Sequence, residues 1–547
     1  VIAAAIPQLL QGCGSAVPST QVPSFLHFSD VRPAMSLNLA SLLRNSAARY
    51  PTLTAAIHDE FRLSYSQLDE AARRFAGDLL ESGVRPADRV AVMVPNVPGF
   101  TIAYFGILYA GCIVVPLNTL LVANEVAFQL EDSEARAIVI HAQTAAVGIE
   151  GAQRVPGCRQ IYTVGLDPAA KPAAAKRLED VIQSAPPADL AQTAADDTAV
   201  ILYTSGTTGK PKGAELTHFG LYYNAQILAE RVFGRWPDRI VVLRPGDVGV
   251  AALPLYHAFG QTNIQNAMLY SGGAVSYLLR FCAAETAAKI ARDRVTFFAG
   301  VPTMFIALLN DPEVTNEQLS TLRYCVAGGA ALPIEVKQQF TQRFGLAVQE
   351  GYGLSETSPL ACIQSIDEAA KAGTIGKPAF GIEMMIVDDQ DREVPRGERG
   401  EIVIRGHNIM KGYFKRPEAT TQAMRNGWFH SGDIGFVDED GDFVIVDRKK
   451  DLIIRGGYNV YPREVEEALY AHPAIAEAAV IGVPDERLGE EVKAVIAFRP
   501  GMSATAEQIV QHCKTLVAAY KYPRIVAILD TLPKGPTGKI LKRALRD

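Results

Sequence analysis

At 547 residues the chain exceeds what one hydrophobic core organises, so two or more domains are expected. Hydrophobic residues at 48% with 20% charged fit a soluble globular protein and exclude a disordered or fibrous one. The 53 basic and 59 acidic residues leave a net charge of −6, without the basic surplus of a nucleic-acid binder.

Residues 1–34 differ in character from the rest of the chain. Residues 1–10 are apolar, and Gln11-Gly12-Cys13 loosely resembles a lipoprotein cleavage site, but no basic stretch precedes it, which argues against a working signal peptide. The first methionine is Met35, and residues 1–34 are expected to be a dispensable extension. From Ser36 the pattern is α/β. Leu39, Leu42 and Leu43 mark an amphipathic helix. A longer one is expected from Ser66, read as its N-cap, to Ser82, where Gly83 stops it; Leu68, Ala71, Ala72, Phe75 and Leu79 make its apolar face. Strands are expected at 89–94, 113–115 and 137–140 with helices between them. Residues 100–117 carry no charge and approach the length of a membrane span. Gly111 divides them, and they read as a buried helix followed by a buried strand. Residues 165–197, rich in Ala, Pro and Asp, form a surface excursion.

Alternation resumes at Ala199 and continues with strands at 248–253, 297–299 and 323–327, each leading into a helix. Strands alternating with helices imply mostly parallel sheets with covered faces, here two of similar design. From Gly400 the chain becomes β-rich, with strands at 401–405 and 435–446, the latter turning at Glu439-Asp440-Gly441-Asp442. A small α/β unit begins near Asp451; its first helix spans 462–471, with Pro462 at an early helical position. The charge run Asp447-Arg448-Lys449-Lys450-Asp451 lies between apolar strands, as an exposed hinge would. The expected division is an N-terminal domain over 35–447, a hinge at 448–450 and a mobile C-terminal domain over 451–547. The seven cysteines, Cys13, Cys112, Cys158, Cys282, Cys325, Cys362 and Cys513, are scattered, odd in number and form no C-x-x-C pair. That argues against a disulfide framework or zinc site and for a reducing cytoplasm.

The most informative stretch is Tyr203-Thr204-Ser205-Gly206-Thr207-Thr208-Gly209-Lys210-Pro211-Lys212-Gly213, directly after the apolar run 199–202. Glycines let backbone N–H groups close on an anion, four hydroxyls add donors and lysines add charge, so the loop is built to hold phosphate. It is not a Walker A loop, because Pro211 stands where Ser or Thr would meet magnesium. Six further segments stand out: Leu253-Pro254-Leu255-Tyr256-His257-Ala258-Phe259-Gly260; Ala327-Gly328-Gly329-Ala330-Ala331; Glu350-Gly351-Tyr352-Gly353-Leu354-Ser355-Glu356-Thr357; Gly427-Trp428-Phe429-His430-Ser431-Gly432-Asp433; Gly456-Gly457-Tyr458-Asn459; and Pro533-Lys534-Gly535-Pro536-Thr537-Gly538-Lys539. Read alone, His257 is a satisfied core histidine, the glycine pairs are tight turns and the last segment is a solvated basic tail.

Taken together, and in this order, the seven segments resemble the adenylate-forming superfamily of acyl-CoA synthetases, luciferases and peptide-synthetase adenylation domains, over essentially residues 36–547. The resemblance implies the acyl-CoA synthetase fold. The large N-terminal domain has two α/β sheet subdomains and a β-rich one, followed by a small mobile α/β domain. It implies that Thr204, Ser205, Gly206, Thr207, Thr208 and Lys212 hold the β- and γ-phosphates of ATP. Gly329, Ala330 and Ala331 belong to the adenine-pocket loop, and Glu350, Gly351 and Gly353 to the nucleotide pocket. Tyr352 stacks on adenine, and Ser355 or Thr357 bonds phosphate. Glu356, a hard oxygen donor, ligates Mg2+ with help from Thr204. Asp433 accepts from both ribose hydroxyls, Arg448 shares the ribose, and Lys450 is the pivot of the C-terminal domain. His257 lines the acyl site and moves to admit the thiol of CoA, whose arm passes Gly456, Gly457 and Tyr458. Lys539 reaches in during adenylation.

Within the superfamily, residues 426–450 and Val301-Pro302-Thr303-Met304-Phe305 resemble medium- and long-chain fatty acid–CoA ligases. Phe429 and Ser431 depart from that branch, where Leu and Thr are commoner; Ile454 stands where plant coumarate ligases have lysine. The implied activity is a cytoplasmic two-step ligase taking a fatty acid, ATP and CoA, monomeric or homodimeric, with loose membrane contact left open. An aryl or other acid, a carrier-protein acceptor, and a nucleotide-binding regulator without chemistry are the alternatives.

Overall fold

The computed structural model describes residues 36–167, 175–204, 211–230, 243–365 and 371–546. The 1–34 extension therefore lies outside the described residues. Two large sheets, a smaller β-rich sheet and a C-terminal sheet make up the described fold.

The first large sheet runs, in spatial order, Gly412–Tyr413, Lys212–Thr217, Thr198–Thr204, Ile113–Pro116, Arg89–Met93, Ala135–His141, Gln160–Val164 and Ala175–Arg177. All neighbours pair in parallel except at the Lys212–Thr217 end, where the chain doubles back on Thr198–Thr204 and is flanked by Gly412–Tyr413. Its central strands are buried on both faces, as parallel strands under helices must be. The 165–197 excursion contains the edge strand Ala175–Arg177 and the helix Leu178–Ser184, so part of it extends the sheet.

The helix Tyr65–Glu81 starts earlier than its sequence suggested. Ser64, not Ser66, is the N-cap, because Ser64 and Gln67 exchange bonds in a capping box that Ser66 cannot form. Its expected apolar face is buried, and burying a Phe or Leu side chain contributes about 1.5–3 kcal/mol. That face packs on the helix Pro98–Tyr109 so closely that a Cβ at Gly106 would sit 2.7 Å from the Phe75 ring. The uncharged stretch 100–117 is this helix plus the strand Ile113–Pro116, both buried. Among the described residues no helix is long and apolar enough to cross a membrane.

The second large sheet runs Lys377–Pro378, Cys362–Ile363, Val348–Tyr352, Tyr324–Ala327, Phe297–Gly300, Val248–Ala251, Ala274–Tyr277, Thr54–His58 and Phe61–Ser64. Its middle is parallel and its two ends antiparallel. The β-rich sheet is antiparallel, with Trp428–Val437 between Gly400–Gly406 and Phe443–Arg448. Trp428–Val437 begins seven residues before its expected start, because the motif there is itself strand. The C-terminal sheet centres on the long hairpin of Ile475–Asp485 and Gly489–Phe498, with Pro462–Tyr470 and Ala506–Leu516 packed against each other. The segment 447–451 joins Phe443–Arg448 of one sheet to Ile453–Arg455 of another. The cysteines among the described residues are free.

Candidate active site

Three parallel strands of the second sheet end side by side, with Gly300, Ala327 and Glu350 in register. Ligands of α/β sheets bind beyond the C-terminal ends of such strands. There Val301, Gly328-Gly329 and Gly351-Tyr352-Gly353 border a cavity of about 190 Å3, closed by Leu253, His257, Phe259, Asn263, Ser355 and Leu360. Small residues are obligatory here. A Cβ on Gly353 would lie 1.6 Å from the Pro359 carbonyl oxygen, and Gly329 has φ +78°.

Thr537 and Lys539 of the C-terminal unit line the same cavity. Thr303 Oγ1 donates to the Gly538 carbonyl at 2.8 Å, which carries Lys539 across. Burial, and then the positive charge of Arg448, lower the Lys539 pKa to about 8; Asp433 works the other way. Asp433 is buried, accepts from the Tyr352 hydroxyl at 2.7 Å and pairs with Arg448 at 3.2 Å. Strand register explains the pair, since Asp433 lies directly opposite Arg448. Tyr352, Asp433, Arg448 and Lys539 thus converge from three parts of the sequence.

On the phosphate-loop side, Thr204 ends its strand opposite Lys212. The Lys212 Nζ sits 5.1 Å from the centre of the Tyr413 ring, and the Tyr413 hydroxyl donates to Glu356 Oε1 at 2.9 Å. Ser205, Gly206, Thr207 and Thr208 lie outside the described residues. A buried carboxylate held by one hydroxyl is a fitting protein share of a magnesium site, because Mg2+ takes one or two carboxylates and completes its shell with phosphate and water. Among the described residues no cluster of three or more His, Cys, Asp or Glu could hold a metal by itself.

Several expected residues stand elsewhere. Glu350 is buried away from the cavity lining; it accepts from the Leu332 N–H at 3.2 Å and pairs with Lys337 at 3.3 Å, fastening the Gly329–Ala331 loop. Ala330 and Ala331 sit on that loop without lining the cavity. The Thr357 hydroxyl is turned inward, donating to the Pro359 carbonyl at 2.7 Å. Lys450 is exposed in the turn after Phe443–Arg448. Gly456, Gly457 and Tyr458 do not line the cavity; Tyr458 is 61% exposed and stacks on Tyr520 at 4.9 Å.

His257 lines the cavity, and its Nε2 is buried with no hydrogen-bond partner among the described residues. Burial lowers its pKa to about 4, so the ring is neutral at physiological pH. Two residues that sequence reasoning passed over belong to the site, Tyr413 and Asn263, and Thr303, quoted above only for its resemblance to one branch, acts as a tether. Tyr413 follows a glycine in an otherwise featureless loop and carried no signal. Asn263 was findable as the sixth residue after His257, in a run too rich in amides for an ordinary core helix.

The pattern of the AMP-binding enzyme family matches residues 43–414, and that of the AMP-binding enzyme C-terminal domain matches residues 464–539. The chain is 36% identical over 541 residues to a long-chain-fatty-acid–CoA ligase of Bacillus subtilis (strain 168), covering 94% of this chain and 95% of the relative. It is 38% identical over 502 residues to a feruloyl-CoA synthase of Amycolatopsis sp, covering 91% and 96%. A solved anthranilate CoA ligase in complex with anthranoyl-AMP superposes with a TM-score of 0.87 at 28% identity, over 94% of this chain and 97% of the other.

Proposed function

The chain belongs to the AMP-binding enzyme family, and on that premise we propose that this AMP-forming acid–CoA ligase acts on a fatty acid. The observation that carries the reading is the arrival of Lys539 and Thr537 in the cavity bordered by Gly329, Tyr352 and His257. It gathers nucleotide and acid sites under one cation, as adenylation requires. The long-chain relative and the apolar walls Leu253, Val301 and Leu360 favour an alkyl acid. The feruloyl relative and the Phe259 ring beside the cavity favour a second reading, an aromatic acid.

In the first step a carboxylate oxygen attacks the α-phosphorus of ATP. An O–P bond forms, the bond to the β-phosphate oxygen breaks, and pyrophosphate leaves an acyl-AMP. Both reactants are anions, so Lys539 and the phosphate loop stabilise the charge that gathers in the transition state. Glu356, with Thr204, would hold Mg2+, which supplies Lewis-acid neutralisation of phosphate oxygens. Asp433 and Arg448 fix the ribose, and Tyr352 covers the adenine. In the second step the CoA sulfur attacks the acyl carbon, the C–O bond to AMP breaks, and the thiol proton passes to water. Neutral His257 adds no positive charge that would hold the carboxylate in place, and it can move without breaking a hydrogen bond through Nε2 to any described residue.

Pyrophosphate release measured with acetate, octanoate, palmitate and cinnamate, with CoA consumption followed alongside AMP, tests the proposal. Highest kcat/KM with octanoate or palmitate and equal CoA and AMP yields are expected. Preference for cinnamate would favour the aromatic reading, and AMP formed without CoA consumption would defeat the thiol step.

A further inference from the structure

One polar residue of the cavity lining, Asn263, comes from Gln261–Asn266, which is wound as a π-helix, a rare form that recurs at functional sites. All six residues are buried, and every one except Ile264 is polar. Most of these polar groups are absorbed within the protein. The Thr262 hydroxyl donates to the Ser358 carbonyl at 3.2 Å, the Thr101 hydroxyl donates to Gln265 at 2.6 Å, and the Tyr104 hydroxyl donates to Gln261 Oε1 at 3.2 Å.

Gln261 Nε2, Asn263 Oδ1 and Asn266 Nδ2 are left without a partner among the described residues, and of these three residues Asn263 is the one that lines the cavity. Asn263 itself is 2% exposed. A buried amide left unpaired weakens any complex in which an alkyl or unsubstituted aryl surface covers it. The smallest ligand group that satisfies a primary amide at both ends is a hydroxyl, which donates to the oxygen and accepts from the nitrogen.

We infer that the acid carries a hydroxyl on an otherwise apolar body, and that Asn263 is the residue that selects for it. This rests on the acid–CoA ligase reading and narrows its substrate class. The body itself is aliphatic or aromatic, the hydroxyl being common to both. A site built around a substrate hydroxyl discriminates strongly against the analogue that lacks it, because the buried partner is then stranded.

The test compares two pairs of acids, octanoate with 8-hydroxyoctanoate and cinnamate with 4-hydroxycinnamate, by kcat/KM for pyrophosphate release from the full chain. At least one hydroxylated acid should exceed its parent by about tenfold or more, and the pair that does so identifies the body. In Asn263→Leu, which keeps the branching of the side chain, that ratio should fall to within about twofold, and the parent acid should improve in absolute terms. Asn263→Ala serves by the same criterion if the leucine variant does not fold, and the wild-type comparison needs neither. Parents equal to or better than their hydroxylated partners in both pairs would overturn the inference while leaving the ligase reading intact. So would a ratio that survives in the variant. Release with none of the acids would overturn both.

Discussion

Lys539 sets the sharpest expectation for a single residue. In the proposed adenylation step it must be charged to neutralise the phosphate, and its pKa has fallen to about 8, so kcat/KM for ATP in pyrophosphate release should decline as pH rises through that value. Lys539→Arg should move the alkaline limb upward, because a guanidinium stays protonated. An identical limb in both proteins would remove Lys539 as its source. The same shift is linked to stability. The folded state holds this proton less firmly than the unfolded chain, so the cost of burying the charge is fully present below about pH 8. It is relieved as pH rises toward the ordinary lysine value. Lys539→Ala should reduce adenylation at least about 100-fold and spare CoA transfer from preformed acyl-AMP, read by single-turnover assays of each half. Equal loss in both halves would rule out a role confined to adenylation. Gly353→Ala forces a Cβ onto the Pro359 carbonyl and should cost about 1–3 kcal/mol, seen as a lowered Tm. An unchanged Tm would show that this turn can yield.

Among the elements, the turn at 447–451 matters most. Asp447 is buried and binds both sides of the joint: Oδ1 accepts from the Arg448 N–H at 2.8 Å and Oδ2 from the Arg463 N–H at 2.8 Å, at the start of Pro462–Tyr470. We propose that the chain pivots just beyond it, at exposed Lys450. Lys450→Pro fixes φ near −65° and should slow CoA-dependent AMP release at least about tenfold while pyrophosphate formation persists; undiminished turnover would place the pivot elsewhere. Gly412–Tyr413 is a two-residue strand, yet it delivers the hydroxyl that holds Glu356. Tyr413→Phe should raise the magnesium concentration needed for half-maximal rate, and no change in that concentration would leave Glu356 independent of its neighbour. Elements were readable from sequence where periodicity was strong, as in the helix Tyr65–Glu81. They were misread at boundaries decided by side-chain geometry, as when Ser64 rather than Ser66 closed the capping box.

For the whole molecule, the order of motifs was legible because several of them, as at 203–213 and 350–357, set glycines beside reactive side chains next to a strand. What sequence could not supply was convergence. Tyr352, Asp433, Arg448 and Lys539 meet through strand register and through one loop crossing between units, neither of which leaves a local mark. For the same reason Glu350, inside a strong motif, turned out to face Lys337 rather than the cavity. Asn263 left a mark only in the amide-rich run around it, since the π-winding shifts its side chain off the usual helical period. If the C-terminal unit swings between half-reactions, an acyl-AMP analogue with CoA should increase hydrogen exchange at 533–541 and decrease it at 456–458; matching profiles with and without these ligands would argue for a fixed arrangement.

Polar bonds across that boundary include Thr303 to the Gly538 carbonyl, the Ile334 N–H to Glu467, and Arg499 to Gln339. Such a bond nets only about 0.5–1.5 kcal/mol between neutral groups, and up to about 3 kcal/mol where one partner is charged. A latch made of fastenings this shallow stores little preference of its own. We propose that whichever small molecule occupies the cleft decides which way the lobe leans, so that the catalytic cycle runs as a ratchet driven by its cargo.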